Sequence, residues 1–252
     1  MNKTVAIIGS SGAIGNSICE VLLKEYPIKK LYKFSRKVQS EDTDKIKNIV
    51  IDIEDENSIM ESLKNIPKDV KFDLIFVATG LLHNEKEIFP EKSIKDINTD
   101  MFQKVLLVNA IGPALIGKYF IPLMKKDNKS VFAFLSAKVG SISDNKIGGW
   151  YSYRASKAAL NQIIKNFSIE IRRNNNNAIF VGLQPGTVKS YLSKPFQKNL
   201  KNQTLFTPNY SAKKMLKVID SLDHEDSGKL FSWNGEEIQP KKNTAISWVF
   251  LE

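Results

Sequence analysis

The first fifteen residues constrain the fold most strongly, because an apolar run leads directly into closely spaced glycines. Residues 5–8 are typical of a buried strand, and residues 14–26 have the apolar spacing of a helix. Gly9, Gly12 and Gly15 stand between and just inside these elements. In a strand–turn–helix unit they allow a sharp turn, close approach of a pyrophosphate to the backbone, and close packing of the helix. The alternative is a structural turn without a ligand, because many tight turns are glycine-rich.

Short apolar runs alternate with longer amphipathic stretches along most of the 252 residues. This alternation predicts βαβ units, and therefore an α/β fold with a three-layer, doubly wound parallel sheet, the Rossmann fold. We expect a single domain over residues 1–252, with 1–135 mainly the cofactor half and 136–252 the catalytic and substrate-facing half. The predicted strands are 5–8, 31–34, 49–51, 72–78, 130–135, 178–183 and 229–231, and the main helices are 14–26, 57–63, 100–124, 151–173 and 210–222.

Composition narrows the function classes. The formal net charge of +10 would suit a nucleic-acid-binding surface, but nearly all basic residues are Lys scattered along the chain, so we predict no nucleic-acid partner. One cysteine and two histidines exclude a disulfide framework and a cysteine-based zinc site, and we predict no metal site. We find no apolar run near the roughly 20 residues of a membrane span and no signal peptide. We therefore expect a soluble, cytoplasmic protein without a membrane partner.

The end of the second predicted strand indicates which dinucleotide would fit. It contains Ser35, Arg36 and Lys37, and no Asp or Glu that could accept a hydrogen bond from a ribose 2′-hydroxyl. These residues suit a 2′-phosphate, because Arg makes paired charge-assisted hydrogen bonds to phosphate. We therefore predict NADP(H) in preference to NAD, with a solvated basic turn as the alternative.

Two residues of the fourth main helix carry the strongest chemical signal. Tyr153 and Lys157 are four residues apart and so share one helix face. An ammonium near a phenol favours the phenolate and lowers the Tyr pKa, so that the side chain can donate or accept a proton near neutral pH. Tyr151 is a rival for this role, but it does not have this spacing to Lys157.

The chain resembles the short-chain dehydrogenase/reductase family over nearly its whole length. Within that family, residues 136–145, 148–157 and 185–196 are similar to the C-factor and sniffer carbonyl-reductase branch. The motifs that carry the resemblance occur in the family's order and are the glycine turn at 9–15, Asp52, Ala78-Thr79-Gly80, Asn109, Ser136, Tyr153-Arg-Ala-Ser-Lys157 and Pro185-Gly186-Thr187-Val188.

The resemblance implies a role for each position. Tyr153 would be the general acid in carbonyl reduction and the base in alcohol oxidation, and Lys157 would hold the nicotinamide ribose and lower the Tyr153 pKa. Ser136 would hydrogen-bond the substrate oxygen, and Asn109 would anchor a water that continues a proton relay through Lys157. The implied cofactor-binding residues are Gly9, Ser11, Gly12, Ala13, Ile14, Gly15, Ser35, Arg36, Asp52, Ile53, Ala78, Thr79, Gly80, Asn109, Tyr153, Lys157, Pro185, Gly186, Thr187, Val188 and Ser190.

The sequence departs from the family pattern at a few positions. Ala13 replaces the usual middle glycine, and Gly12 stands one step earlier. Counting along the predicted strand from residue 130 puts Ser136 at the catalytic serine position, whereas counting back from residue 140 puts Ala137 there. We favour Ser136, because strand register fixes a side chain at a strand end. Ser141 is the remaining candidate.

These observations favour an NADP(H)-dependent short-chain oxidoreductase that transfers hydride between nicotinamide and a carbonyl or alcohol substrate. Phe196, Leu200, Leu205 and Phe206 lie in the segment that covers the substrate in this family, and they suggest an apolar compound, with packing on a neighbouring subunit as the alternative. The alternative is a catalytically weak NADP(H)-binding signalling or scaffold protein of the C-factor type. By analogy with the family, we expect a homodimer or homotetramer through the helices at 100–124 and 151–173.

Overall fold

Seven parallel strands form the main sheet of the computed structural model, which describes residues 2–38, 41–84, 88–195 and 205–240. The described strands are β1 (Lys3–Ile8), β2 (Ile28–Ser35), β3 (Ile46–Val50), β4 (Leu74–Val77), β5 (Ser130–Leu135), β6 (Ala178–Gln184), β7 (Thr187–Val188), β8 (Leu205–Phe206) and β9 (Lys229–Ser232). The order in the main sheet is β3-β2-β1-β4-β5-β6-β9, and β7 pairs with β8 in a separate two-stranded ribbon. The strand order reverses between β1 and β4, and such a switch point is where open α/β sheets bind ligands.

Helices cover both faces of the sheet and complete three layers. They are α1 (Ala13–Glu25), α2 (Glu56–Leu63), α3 (Thr99–Leu106), α4 (Gly112–Phe120), α5 (Tyr151–Arg172) and α6 (Pro208–Ser221). Alternate residues of β1 point to opposite faces, so Val5 and Ile7 pack in the core under α1 and α6, and Ala6 and Ile8 pack in the core under α4 and α5. This architecture confirms the predicted doubly wound α/β fold.

The third predicted helix is interrupted. A π-helical turn, Leu107–Ile111, separates α3 from α4, and a short 3₁₀ turn, Ile121–Leu123, ends the segment at Pro122. The whole stretch Thr99–Leu123 is long and apolar enough to cross a membrane by length and composition, which the sequence prediction overlooked because polar residues break its apolar runs. In the fold Ile116 and Phe120 are fully buried in the core beneath the sheet, as in the core helix of a soluble protein.

The other differences from the predicted elements lie at boundaries and in one irregular region. β2 begins three residues earlier than predicted, and β3 occupies residues 46–50 instead of 49–51. The β7–β8 ribbon was not predicted, because two-residue strands leave no periodic signal. Phe196 and Leu200, two of the predicted substrate-covering residues, lie outside the described residues.

Candidate active site

The glycine turn joins β1 to α1 and is tied to the end of β2. The backbone N–H groups of Gly9 and Ser10 both donate to the Phe34 carbonyl, at 2.9 and 3.0 Å. Gly9 has a φ of 83°, in the left-handed region that favours glycine. A Cβ at Gly15 would lie 2.2 Å from the Gly9 carbonyl oxygen, so only glycine allows α1 to pack this closely on the turn. The turn therefore has the tight geometry that the glycine spacing predicts.

The turn leaves a polar cradle that fits a dinucleotide. Ser11, Gly12 and Ala13 are exposed, and Gly12 caps α1 without a side chain, so the first N–H groups of the helix have no side-chain cap. Beside them, the Thr79 hydroxyl is the one buried side-chain polar atom without a hydrogen-bond partner among the described residues. The Thr79 methyl carbon would lie 2.9 Å from a Cβ at Gly9, which places Thr79 against the turn. An uncapped helix N-terminus and an orphaned hydroxyl suit a pyrophosphate with its ribose.

Of the predicted 2′-phosphate residues at the end of β2, Ser35 is used within the turn and Arg36 is exposed. Ser35 is buried, and its hydroxyl donates to the Lys37 carbonyl at 2.6 Å, which closes the turn. Arg36 is exposed, and in the described part of the chain no carboxylate pairs with it. The guanidinium is therefore open to a phosphate at this edge of the sheet, whereas the Ser35 proton is used within the turn.

The predicted adenine-side residues follow β3. The Asp52 carboxylate accepts a hydrogen bond from the Glu54 N–H at 3.0 Å, and the Asp52 N–H donates to the Ser58 hydroxyl at 2.8 Å. Ile53 is buried, and a Cβ at Gly112 would lie 2.8 Å from its carbonyl oxygen. These contacts fix the Asp52 carboxylate, which is only partly buried, at the carboxyl edge of the sheet.

The π-helical turn holds Asn109 fully buried beside the loop that follows β4. The Leu81 N–H donates to Asn109 Oδ1, and Asn109 Nδ2 donates to the Leu81 carbonyl, both at 2.7 Å. Nδ2 also donates to the Ser156 hydroxyl at 3.0 Å, which connects this loop to α5. Pro113, four residues later, has no N–H, so the Asn109 carbonyl lacks its α-helical donor. The role of Asn109 as a water anchor stays a prediction.

Tyr153 and Lys157 lie in the first two turns of α5. Lys157 is 2% exposed, its Nζ donates to the Leu135 carbonyl at 2.9 Å, and it lies 5.8 Å from the Tyr153 ring centroid. A Cβ at Gly80 would lie 3.7 Å from Lys157 Nζ and 3.8 Å from Asn109 Oδ1. The fold therefore brings residues predicted from β4, the π-helical turn and α5 to one place.

The pKa values of this pair differ from the sequence expectation. Burial raises the pKa of Tyr153 to about 12, and the expected lowering by Lys157 is absent. Burial also lowers the pKa of Lys157 to about 7, because its buried ammonium has lost hydration. In the chain without ligand, desolvation therefore outweighs the attraction between ammonium and phenolate. Tyr153 carries its proton at neutral pH.

The two serine candidates have partners within the protein. The Ser136 N–H donates to the Leu183 carbonyl at 2.9 Å, which continues the pairing of β5 with β6, and the Ser136 hydroxyl donates to Asn161 Oδ1 at 2.7 Å. The Ser141 hydroxyl donates to the Gln239 carbonyl at 2.5 Å. Ala137 follows Ser136 in extended conformation, with a φ of −151°. The role of Ser136 toward a substrate stays a prediction.

The predicted nicotinamide side is built around Gly186, whose φ of 76° requires glycine. A Cβ there would lie 2.5 Å from the Phe206 ring and 3.1 Å from the Trp233 ring. The Ser211 hydroxyl donates to the Pro185 carbonyl at 2.7 Å, which ties this segment to α6. After Gly186, Thr187 and Val188 form β7, and the Ser190 N–H donates to the Ser193 hydroxyl. On the adenosine side, Ala78 extends β4, because its N–H donates to the Ile8 carbonyl.

Two contacts beside the site were not predicted from the sequence. His83 lies in the loop after β4 and is buried, with Nε2 2.9 Å from the Tyr191 carbonyl, and the two rings stack at 5.2 Å. Glu91 lies in the segment before α3, and its buried carboxylate accepts a hydrogen bond from the first turn of α5. The sequence around Glu91, with Pro90 before it and Lys92 after it, carries no signal for this burial.

Comparison with known proteins identifies the family of the chain. Residues 3–201 match the family model of the short chain dehydrogenases. The C-signal protein of Myxococcus xanthus is 31% identical over 146 residues, which span 58% of this chain and 82% of that protein. An uncharacterized oxidoreductase of Schizosaccharomyces pombe is 25% identical over 254 residues, 93% of this chain and 96% of that protein.

Solved structures share the fold. The NADPH-bound carbonyl reductase from chicken fatty liver superposes with a TM-score of 0.82 at 23% identity, over 94% of this chain and 98% of that one. The carbonyl reductase Sniffer of Drosophila melanogaster gives a TM-score of 0.78 at 18% identity, over 94% and 99% of the two chains. With the family model covering most of the sequence, the chain belongs to the short-chain dehydrogenase/reductase family of oxidoreductases.

Proposed function

We propose that the protein is an NADP(H)-dependent carbonyl reductase that also runs in the direction of alcohol oxidation, with Tyr153 as its general acid and base. The observation that carries the proposal is the convergence of Lys157 Nζ and Asn109 Oδ1 on Gly80, next to Tyr153 on α5. This cluster lies at the carboxyl ends of β4 and β5, at the same edge as the glycine turn after β1. A proton-transferring group and a dinucleotide cradle therefore share one edge of the sheet.

Residues of both halves would hold the cofactor. The N-terminus of α1 and the Thr79 hydroxyl would meet the pyrophosphate and ribose, and Lys157 would hold the nicotinamide ribose with the two ammonium protons that Leu135 leaves over. Arg36 would bind the 2′-phosphate, which is the basis for preferring NADP(H). The NADPH-bound state of the chicken carbonyl reductase supports the same choice.

Side chains of the protein would supply the proton that carbonyl reduction needs. A bound nicotinamide supplies or accepts the hydride. With a pKa of about 12, Tyr153 is protonated at neutral pH and can donate to a carbonyl oxygen as negative charge develops there. With a pKa of about 7, Lys157 can release or take up a proton near neutral pH, and so could serve the proton relay to Tyr153 that the family resemblance implies. Ser136 would donate a hydrogen bond to the same substrate oxygen, without giving up its proton, by exchanging its Asn161 partner for the substrate.

The substrate side supports an apolar carbonyl or alcohol. Phe206 and Trp233 lie against Gly186, with ring centroids 4.6 Å apart, and Tyr210 packs beside them. These rings offer an apolar wall at the nicotinamide end. We also propose that the protein acts in the cytoplasm as a homodimer or homotetramer, by analogy with its family.

Turnover of a carbonyl panel tests the proposal. We expect wild-type protein to oxidise NADPH with some member of a panel of aldehydes, ketones and quinones, and Tyr153→Phe to lose this activity because the phenol proton is gone. Tyr151→Phe is the matched control, since the partly exposed Tyr151 lacks the spacing to Lys157, and it should keep wild-type rates. Tight NADPH binding without turnover on any compound would instead identify a binding protein, and equal rates for wild type and Tyr153→Phe would refute the assignment of Tyr153.

A further inference from the structure

The helix that carries Tyr153 is held at its N-terminus by a carboxylate from a distant segment. Glu91 is 1% exposed, and both of its carboxylate oxygens accept from the Ser152 N–H, at 3.1 and 3.3 Å. The Glu91 carbonyl accepts from the Trp150 N–H at 2.5 Å. Glu91 therefore binds the first turn of α5 with its side chain and its backbone, from 61 residues away in sequence.

The N-cap of α5 explains why an outside group is needed. The N-cap residue is Trp150, which has a left-handed φ of 53° and offers no side-chain cap, and the first turn of α5 contains no acidic residue. The Trp150 ring instead contacts the Tyr153 ring edge-on, with centroids 6.1 Å apart. Ser, Thr, Asp or Asn at this position would cap the helix locally but would lose that ring contact. Glu91 supplies the missing acceptor.

The segment around Glu91 is held by hydrogen bonds of its own. Asp96 Oδ2 accepts from the N–H groups of Lys92 and Ser93, at 3.0 and 2.9 Å, in a capping box directly after Glu91. Gly149 allows the approach on the other side, because a Cβ there would lie 3.1 Å from the Glu91 carbonyl oxygen. Both ends of the contact are therefore fixed by their own backbone geometry.

The electrostatics of this contact are costly unless the helix compensates. In the described part of the chain no Lys, Arg or His forms an ion pair with Glu91. A buried carboxylate without a cation is unfavourable, and here the partial positive charge of the α5 N-terminus takes the place of the cation. The arrangement ties the position of the α5 first turn to Glu91, because separating them breaks the hydrogen bonds of the Ser152 and Trp150 N–H groups.

We propose that Glu91 is a positioning residue for the proton transfer: by capping α5 at Ser152 it fixes the adjacent Tyr153 in its reactive place. This inference rests on the proposed function, since it assigns a step in that reaction. Glu91 has no contact with the reacting atoms and acts through the helix. Misplacing a reacting group by about 1 Å costs on the order of 10²-fold in rate.

Three variants test the proposal. Glu91→Ala removes the cap, Glu91→Gln keeps an acceptor oxygen for the Ser152 N–H, and Asn98→Ala removes the cap of α3, where Asn98 Oδ1 accepts from the Met101 N–H at 3.0 Å. We expect Glu91→Ala to lower kcat on the order of 10²-fold with KM for NADPH unchanged, and Glu91→Gln to restore most of this loss. Asn98→Ala should destabilise the protein to a similar extent and keep its kcat.

Hydrogen exchange supplies a readout that needs no substrate. The amides of residues 151–155 should exchange faster in Glu91→Ala than in Glu91→Gln or Asn98→Ala. Equal loss of kcat in Glu91→Ala and Asn98→Ala, or unchanged exchange at residues 151–155 in Glu91→Ala, overturns the proposal. If wild-type protein turns over no carbonyl compound, the proposed function fails, while the exchange measurement still decides whether Glu91 positions Tyr153.

Discussion

The hydrogen bond between Ser136 and Asn161 decides how many hydroxyl donors a substrate oxygen meets in this site. The Ser136 proton points to Asn161 Oδ1, so donation to substrate requires an exchange of partners. The sequence alone could not show this contact, because Asn161 is one of many polar residues on α5. It could show the ambiguity between Ser136 and Ala137, which arises because one extra residue separates the strand end from Gly140.

A pair of variants resolves that ambiguity. If Ser136 donates to the substrate oxygen, Ser136→Ala should lower kcat by about 10²–10³-fold, the cost of removing one donor to a developing oxyanion. Ala137→Ser should then change kcat little. Steady-state kinetics on one carbonyl substrate compares the two variants. An unchanged kcat in Ser136→Ala together with a raised kcat in Ala137→Ser would assign the catalytic position to residue 137.

Arg36 should determine the choice of dinucleotide. Arg36→Ala should weaken NADPH binding by about 10- to 100-fold, because hydrogen bonds to charged groups contribute about 1.5–3 kcal/mol, and it should leave NADH binding unchanged. Titration calorimetry with both nucleotides measures this. Arg172→Ala is the matched control, since Arg172 is exposed at the end of α5, 3.7 Å from Glu225. Equal weakening of NADPH and NADH by Arg36→Ala would contradict the assignment.

At the scale of elements, apolar periodicity predicted the long helices that pack on the sheet. Long apolar-patterned segments such as α1 and α5 were predicted within one or two residues, because one face of each is buried against the sheet. The π-helical turn in the third predicted helix was not, because apolar spacing does not reveal a local change in the helical hydrogen-bond pattern. The same holds for the cap on α5, whose acceptor is supplied by Glu91 from another segment.

The packing of α1 on the glycine turn yields a stability prediction. Gly15→Ala should destabilise the protein by about 1–3 kcal/mol, the usual cost of overpacking, because its Cβ would lie 2.2 Å from the Gly9 carbonyl oxygen. Gly12→Ala should cost less, since its Cβ would lie 3.4 Å from the same atom. Urea unfolding of both variants measures the difference, and an equal loss would show that helix packing does not select glycine at position 15.

At the scale of the whole molecule, the buried Lys157 links folding to pH. Its pKa is about 7 in the folded chain and near 10.5 when unfolded, so between these values the unfolded chain binds the extra proton. Stability should therefore rise with pH across this range. Wild type should gain about 2 kcal/mol between pH 7 and 9 relative to Lys157→Met, as each pKa unit corresponds to about 1.4 kcal/mol.

Urea unfolding at a series of pH values checks this gain. Burial also raises the pKa values of Cys19 and Tyr153, which lowers stability only above about pH 9, and both groups are present in the two proteins compared. A constant difference between wild type and Lys157→Met from pH 7 to 9 would mean that Lys157 titrates normally in the folded chain.

The layers of the fold and the crossover hand were predictable from the chain because one pattern, strand alternating with helix, fixes them. The site residues were predicted from the family resemblance, and the observed strand order places the ends of β1, β4 and β5 together. The electrostatics did not follow, since they depend on burial. The sequence suggests that Lys157 lowers the Tyr153 pKa, whereas desolvation of both groups dominates without a ligand.

The most direct test of the central claim follows the hydride itself. NADPH carrying deuterium at both hydrogen positions of nicotinamide C4 is incubated with the protein and the carbonyl compound that it turns over fastest, and the product is analysed by mass spectrometry. The account predicts an alcohol with one deuterium on its carbinol carbon from wild type and from Tyr151→Phe, and almost none from Tyr153→Phe. Deuterated alcohol from Tyr153→Phe at the wild-type rate, or none from wild type with any carbonyl compound, would contradict it.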